Sequence, residues 1–413
     1  MGKEHFERLD NAMIETADHS WDLNSGNRDP LRACVHCGLC LEDCPTYKLT
    51  GDESNSPRGR LFLWRAVGEG RLKEDDDTDY YTDECVGCLA CESACPANVP
   101  YGDLLEKVRR TQVNNGRAKI DWKVRLASRA VKSPGLFNLA LAPARVLRKA
   151  NLLPHPMVFS GKPAIALSSA NYAKQLVKEK KPTGPTVALL TGCLMEAMFR
   201  EINFATIRVL IDNNIRVVIP ESQGCCGAFH EHTGLPGTEE LFAQNRAAFG
   251  GIEVDRVLTN SAGCGFALSK ALKDKVQVQD VLAFLGEIDL KPRPRREGLH
   301  KVFVDLPCHL VHGQKVDGIP DSVLDATGYN WELAPCARDC CGSGGVYNIQ
   351  KPKNARAILS QKSEFLNAIP ADCKPILASS NHVCMMQWQT AHSFISRPFQ
   401  VKHVIQLLDT DHD

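Results

Sequence analysis

Two short runs, CVHCGLCLEDCP from Cys34 and CVGCLACESACP from Cys85, place four cysteines at intervals of three, three and four, with proline after the last. The spacing C-x2-C-x2-C-x3-C-P ligates [4Fe–4S] clusters in two-cluster ferredoxins. A cubane offers four iron corners, and a short loop with cysteines three apart reaches three of them. The fourth thiolate, at the start of a helix and before proline, points away to the other cluster. The spacing therefore predicts one cluster on Cys34, Cys37, Cys40 and Cys95 and a second on Cys85, Cys88, Cys91 and Cys44. Four-cysteine zinc sites use two separated C-x2-C pairs, a poorer match. His36 lies between two ligands and is read as a neighbour of the site or a surface residue. Between the runs, SPRGRLFLW (56–64) reads as a helix. Ser56 caps it, Pro57 suits its first turn, Gly68 and Gly70 mark its end, and Leu61, Trp64 and Val67 form an apolar face. Arg58 and Arg60 either place positive charge near a cluster, raising its potential, or are solvated.

A second thiol pattern has a long period. Cys193 is followed after 31 residues by Cys225-Cys226-Gly227, and Cys308 after 31 residues by Cys340-Cys341-Gly342; Cys264 and Cys384 close the two units. Such self-similarity marks a repeated structural unit. Cys193, Cys225, Cys226 and Cys264 form one candidate site for a cluster or zinc, and Cys308, Cys340, Cys341 and Cys384 the other. The alternatives are a reduced structural set or a redox disulfide at either adjacent pair. Cys336 and Cys373 fall outside both patterns and are expected to be ordinary buried thiols. His309 and His312 adjoin Cys308, where they could hydrogen-bond a ligand or carry protons; His230, His232 and His382 are similarly placed. A structural role is the expectation for each taken singly.

These thiols need elements to carry them. TVALLTGC, IRVVIP and RVLTNSAGC read as strands leading to Cys193, Cys225–Cys226 and Cys264; KVFVDLPC, NWELAPC and PILASSNHVC repeat the scheme, with helices over 196–213 and 353–367. Buried apolar strands alternating with helices imply parallel β/α units, whose ligands lie beyond the strands' carboxyl ends. The fold class that follows is a multidomain α+β chain. Residues 1–110 form a helical two-cluster ferredoxin-like domain, 111–185 a basic helical connector and linker, and 186–295 and 296–413 two duplicated α/β cysteine-rich units with parallel sheets.

Bulk properties narrow the partners. The 413 residues are 43% hydrophobic, a globular value, and 49 Lys+Arg balance 49 Asp+Glu, which argues against a dedicated nucleic-acid binder. MGKEHFERLD lacks the apolar core of an export signal, and no run of 18 apolar residues occurs; LFNLALAPA (136–144) comes nearest. Eighteen cysteines without an export signal point to reduced, metal-binding thiols rather than a disulfide framework. From Arg117 to Ala150 nine Lys/Arg (117, 119, 123, 125, 129, 132, 145, 148, 149) face one acid, Asp121, with Trp122, Leu126, Val131, Leu136 and Leu139 interleaved. That stretch reads either as a solvated face or as a surface for anionic lipid or an acidic partner. KEKKPTGP (178–185) reads as a linker. The expected location is cytoplasmic, with peripheral contact on the inner face of the cell membrane left open.

With these motifs in place, the chain resembles the iron–sulfur subunits of bacterial glycolate oxidase (glycolate dehydrogenase). LRACVHCGLCLEDCPTYKLTGDE, SPRGR, GCCGAFHEH, NSAGCGF, PCHLVHGQK and CCGSGGVYN carry the likeness. The two-CCG layout is shared with heterodisulfide reductase, anaerobic glycerol-3-phosphate dehydrogenase and lactate-utilisation proteins. The resemblance implies an electron-transfer subunit of a hetero-oligomer. A partner FAD subunit would oxidise a 2-hydroxy acid, glycolate or D-lactate, and this chain would relay the electrons towards a quinone. No G-x-G-x-x-G follows a strand; CGSGGVY puts Tyr347 at the last glycine position. The alternative is a catalytic subunit of another CCG oxidoreductase, reducing a disulfide or quinone directly. Against it, the positions three after Cys264 and Cys384 are Ala267 and Gln387, so the five-thiolate site of the heterodisulfide reductases is incomplete.

Overall fold

The computed structural model describes residues 30–143, 147, 167–273, 275–294 and 300–409. The chain divides into two compact bodies, one built from the segment ending at Ile120 together with His232–Pro236, the other from Asp121–Glu231 and Gly237 onward.

The first body is helical, with helices Pro45–Thr50, Pro57–Gly68, Asp76–Asp83, Ala90–Ser93 and Tyr101–Asn114. Helix Pro57–Gly68 starts as expected: the Ser56 hydroxyl accepts from the Gly59 amide at 3.0 Å, a cap that contributes about 1 kcal/mol. Leu61 and Trp64 are buried, and the Trp64 indole donates to Thr82 Oγ1 at 2.9 Å. Tyr101, Leu104, Leu105 and Val108, at i, i+3, i+4 and i+7, turn one face of their helix into the same core. One expectation fails here. Cys44 precedes a helix, but Cys95 does not. The chain after Cys95 turns through Asn98, whose φ is +51°, and the next helix waits until Tyr101.

The second body contains the duplication. Strands β1 (Thr186–Leu190), β2 (Arg216–Val218), β3 (Arg256–Thr259) and β4 (Val278–Asp280) form one sheet in the order β2-β1-β3-β4. Strands β5 (His300–Asp305), β6 (Asn330–Leu333), β7 (Lys374–Ser379) and β8 (Gln400–His403) form the other in the matching order β6-β5-β7-β8. Every pairing is parallel. The central strands are covered on both faces, which is why VALL and VFV carry no polar alternation. In each sheet the order reverses direction beside the first strand, and the three cysteine-bearing loops follow the three strands around that point. The strands stop short of the thiols: Cys193 opens helix Cys193–Met198, and Cys264 and Cys384 lie inside helices Ala262–Ala271 and His382–Thr390. The helix expected over 196–213 breaks at Phe199, with φ −127° and ψ 33°, and resumes as Arg200–Asp212. Of the expected linker, Lys178–Lys180 finish helix Ser169–Lys180, and Lys181 ends it in the left-handed region.

One apolar core joins both sheets, including Val187, Leu189 and Ile202 from the first repeat and Val302, Leu377 and Trp388 from the second. A polar seam seals it: Ser261 Oγ donates to Asn381 Oδ1 at 3.0 Å and lies 3.1 Å from His382 Nδ1. His403 Nδ1 accepts from the Ile405 amide at 3.2 Å, so its Nε2 carries the proton donated to Asn260 O at 2.9 Å.

Candidate metal centres

Within the first body the two cysteine runs share one backbone conformation. His36 and Gly38 flank Cys37 with φ of 54° and 86°, and Gly87 and Leu89 flank Cys88 with 74° and 66°. A non-glycine residue held left-handed costs roughly 1–2 kcal/mol, and each run holds one, His36 and Leu89. Alternating handedness curls successive amides to one side, a concavity suited to an anionic group.

Cys34, Cys37, Cys40 and Cys95 line one cavity, which Cys91 also borders; its other walls include Leu61, Pro57, Val99 and Tyr101. Cys37 is exposed and the other three are half-buried. Helix Pro57–Gly68 points its amino end here, and the Arg58 backbone amide offsets part of the rise that burial imposes on the Cys40 thiol. The Arg58 side chain bonds His36 O at 3.1 Å and Glu53 through both carboxylate oxygens, at 2.6 and 3.1 Å. His36 is exposed, its ring edge-on to Phe62.

Cys44, Cys85, Cys88 and Cys91 are all buried. Burial, then the neighbouring Cys88, Cys85 and Cys44, push the Cys91 thiol well above its usual range. Burial likewise raises Cys44, offset by Arg60 and the Thr46 hydroxyl 3.3 Å from its sulfur. The Tyr101 hydroxyl donates to Cys85 Sγ at 3.5 Å. Arg109 pins the Cys85 loop, donating to Cys85 O at 2.6 Å and His232 O at 2.9 Å. Arg60 is fully buried, so the solvated reading of that residue is wrong. It donates to Tyr81 O at 2.6 Å, Thr46 Oγ1 at 3.0 Å and Asn55 Oδ1 at 3.3 Å, and its Nη1 has no hydrogen-bond partner among the described residues. These thiols fit iron: eight soft donors in apolar walls, thiolates only once a cation is bound, beside an orphaned buried guanidinium nitrogen that calls for negative charge.

In the second body each repeat gathers its four thiols. Cys193 Sγ lies 3.5 Å from Cys225 Sγ. Cys193 and Cys226 are pushed well above the usual thiol range, first by donating to Cys225, and Cys225 is held well below it by accepting from both. Cys264 is lowered by Cys226. In the second repeat Cys340 lowers Cys308, with His309 Nδ1 3.4 Å from that sulfur; Cys341 is lowered by Cys340, Cys384 and then Lys362. Asn381 donates to Cys384 Sγ at 3.2 Å. The third residue of each CCG is explained by the backbone. Gly227 and Gly342 have φ of 93° and 81°, and a Cβ on them would lie 2.7 Å from the Phe242 ring and 2.8 Å from Ala355 O. Among the described residues no three His, Cys, Asp or Glu side chains are arranged to hold a single metal ion. Ala267 and Gln387 are buried, and Gln387 is fully engaged, accepting from Asn348 and donating to Ala355 O, both at 3.1 Å. Cys336 and Cys373 are half-buried rather than buried. His230 is buried and held below its usual pKa first by that burial; His232 and His312 are half-buried.

One feature of this site was not read from the sequence. Lys362 and Asp305 form a buried ion pair at 2.5 Å; Ser379 Oγ donates to Asp305 Oδ2 at 2.9 Å, and Lys362 donates to Ala337 O at 3.2 Å and to Asp339 O. In the first repeat the place of Asp305, three residues before the cysteine, is Leu190, and neutral Asn245 bonds the loop before the cysteine pair, at Gly224 N and Cys225 O. A signal existed: Lys362 follows Ala355, Ile358 and Leu359 at i+7, on the buried stripe of helix Pro352–Ser363.

Comparison with known proteins agrees with this layout. The 4Fe-4S dicluster domain family matches residues 30–99, and the cysteine-rich domain family matches 187–269 and 303–389. A protein of Bacillus subtilis (strain 168) named "Probable glycolate oxidase iron-sulfur subunit" is 32% identical over 392 residues, 86% of this chain and 87% of that protein. The glycolate oxidase iron–sulfur subunit of Escherichia coli (strain K12) is 31% identical over 401 residues, 87% of this chain and 92% of the relative. One subunit of the dihydromethanophenazine:CoB–CoM heterodisulfide reductase of Methanosarcina barkeri is 23% identical over 418 residues, 92% and 93% of the two chains. With its dicluster and cysteine-rich domains in this order, the chain is an iron–sulfur electron-transfer subunit and belongs to the family of glycolate oxidase iron–sulfur subunits.

Proposed function

We propose that this chain relays electrons in a flavin-linked 2-hydroxy-acid dehydrogenase, glycolate being the favoured substrate. A partner subunit carrying FAD performs the oxidation, and a quinone receives the electrons. The observation that carries the reading is the pair of like-folded cysteine runs in a chain whose relatives are named glycolate oxidase iron–sulfur subunits. Cys34, Cys37, Cys40 and Cys95 would hold one [4Fe–4S] cluster, and Cys85, Cys88, Cys91 and Cys44 the other. When bound, such clusters supply one-electron carriers. The chain's own part is to hold the eight sulfurs in apolar walls, to aim the helix Pro57–Gly68 at the first set, and to set Arg60 beside the second.

The two CCG thiol sets are assigned to a further cluster or zinc; thiol-to-thiol contacts running through each set support this, although their side chains are not pre-arranged around a single ion. Contact with an anionic membrane surface is assigned to Trp122, Leu126, Leu136 and Leu139, which are 58–70% exposed, with Lys123, Arg125 and Arg129 exposed among them. Arg145, Arg148 and Lys149 of that basic stretch lie outside the described residues. No helix among the described residues is long and apolar enough to cross a membrane.

The test is anaerobic purification with mass spectrometry of bound partners, iron analysis and activity assays on one sample. About eight irons from the two cubanes, a flavoprotein partner, and glycolate turnover only in its presence are expected. Turnover by the isolated chain would overturn the relay. Reduction of a disulfide or quinone by the isolated, chemically reduced chain would favour the second reading, a heterodisulfide-reductase-like catalyst, which the likeness to the Methanosarcina protein supports.

A further inference from the structure

A guanidinium buried without a carboxylate is a costly object, and Arg60 is one. Its side chain is completely excluded from water. Its partners are a carbonyl, a hydroxyl and an amide, all neutral, and Nη1 is left without a partner among the described residues. An isolated ion moved into such a place costs several kcal/mol after relaxation, so a balancing negative charge belongs nearby. Tyr101 also lies beside Arg60 but is a neutral phenol donating to Cys85, so the groups in a position to supply that charge are Cys85 and Cys44, as thiolates once a cation is bound. The other arginine of the same motif differs: Arg58 is partly exposed and is already neutralised by both oxygens of Glu53. The burial of the two thiol sets differs in the same sense. The Cys44 set is wholly buried, whereas the Cys34 set has one exposed and three half-buried members. A buried site resists the added electron, because solvent cannot stabilise the extra charge; a fixed internal cation removes that resistance.

We propose that Arg60 is the internal counter-charge of the centre held by Cys44, Cys85, Cys88 and Cys91, and that it raises that centre's reduction potential into the working range while leaving the Cys34 centre almost untouched. This rests on the cluster assignment above. A centre held there would gain or lose one electron at a time, with no bond formed or broken. Arg60 keeps its charge throughout and acts as a positioning residue, through the field it imposes. The sequence carries a hint: residue 60 lies four before Trp64, on the buried face of its helix, where an arginine has no solvent to reach.

The experiment is a redox titration followed by paramagnetic resonance on the anaerobic full chain, with Arg60→Gln, Arg60→Lys and Arg58→Gln beside the wild type. The resonance lost in Cys88→Ser identifies the Cys44 centre. At least about eight irons in the wild type, with one resonance lost in Cys37→Ser and another in Cys88→Ser, establish the cluster assignment before any arginine variant is read, so its failure is seen separately. Arg60→Gln is expected to weaken reduction of the Cys44 centre at least tenfold, about 59 mV for a one-electron couple, with the other centre unmoved. Arg60→Lys should stay near the wild type, and Arg58→Gln should move the Cys44 centre little. If Arg60→Gln loses the Cys44 centre outright while Arg60→Lys retains it, the charge is again the cause. An unshifted Arg60→Gln overturns the proposal, as does an Arg60→Lys variant that behaves like Arg60→Gln, since the hydrogen-bond fork and not the charge would then matter.

Discussion

The Lys362–Asp305 pair offers a direct energetic test, because the first repeat shows the same fold built without it. Asp305 is fully buried and Lys362 nearly so. Lys362→Met leaves the Asp305 carboxylate with the Ser379 hydroxyl alone, and Asp305→Leu leaves an ammonium facing two carbonyls. Removing one partner of such a pair costs about 3–5 kcal/mol, whereas replacing both by apolar side chains is often neutral. Leucine is what the first repeat places at Leu190, so the double variant Asp305→Leu/Lys362→Met should lie within about 1.5 kcal/mol of the wild type. The coupling energy should then exceed about 2 kcal/mol. Burial already pushes the Asp305 carboxyl above its usual range, with Lys362 pulling it back. Without the lysine a protonated carboxyl needs no counter-charge, so the Lys362→Met loss should shrink at acid pH. The assay is anaerobic urea unfolding followed by circular dichroism, comparing midpoints at constant slope. Single variants each within about 1 kcal/mol of wild type, or a double variant no better than the worse single, would refute the argument.

Two further outcomes are expected. His382 is held down to about 3, by burial and then by His403, and His403 to about 4 by burial, against about 6.5 unfolded, while burial raises Asp280 to about 7 from an ordinary carboxylate value. Each depressed histidine stabilises fully above pH 6.5 and loses that contribution as pH falls, His403 down to about 4 and His382 down to about 3. Asp280 acts in the opposite sense over the same window, gaining stability as the solution is acidified. The three should leave a net loss of about 1.4 kcal/mol per pH unit below 6.5; Asp280→Asn should steepen it and His403→Gln flatten it in urea midpoints measured against pH. Trp122→Ser/Leu126→Ser should reduce sedimentation with anionic vesicles severalfold, and about 0.5 M salt should do the same to the wild type; binding unchanged by either would dismiss the membrane assignment.

The two cysteine runs, the repeated CCG pattern and the parallel β/α repeats could be read from spacing and apolar runs because those patterns are periodic. The edge strands β4 and β8 could not: equally short β2 and β6 are flagged by the cysteines that follow them, whereas VQD and QVKH mix polar residues into a brief apolar run and lead to no thiol. The turn after Cys95 escaped for another reason. Cys44 and Cys95 share a following proline, and only the later residues, Thr-Tyr-Lys-Leu against Ala-Asn-Val-Pro, separate a helix from a left-handed turn. Arg60 and Lys362 sit in charged sequence that reads as solvated, and only their phase within an apolar stripe betrays their burial.

The seam between the repeats has a consequence for how such a chain could arise. Ser261 of one copy answers Asn381 and His382 of the other, Asn260 answers His403, and a common core runs beneath. A half expressed by itself would bare oily surface and strand those partners, so it should aggregate rather than persist as a small independent protein. With this seam closed, neither copy can be removed without stranding the other's buried polar groups. The copies differ near the thiols too, where an aspartate–lysine couple stands in one and leucine with asparagine in its twin.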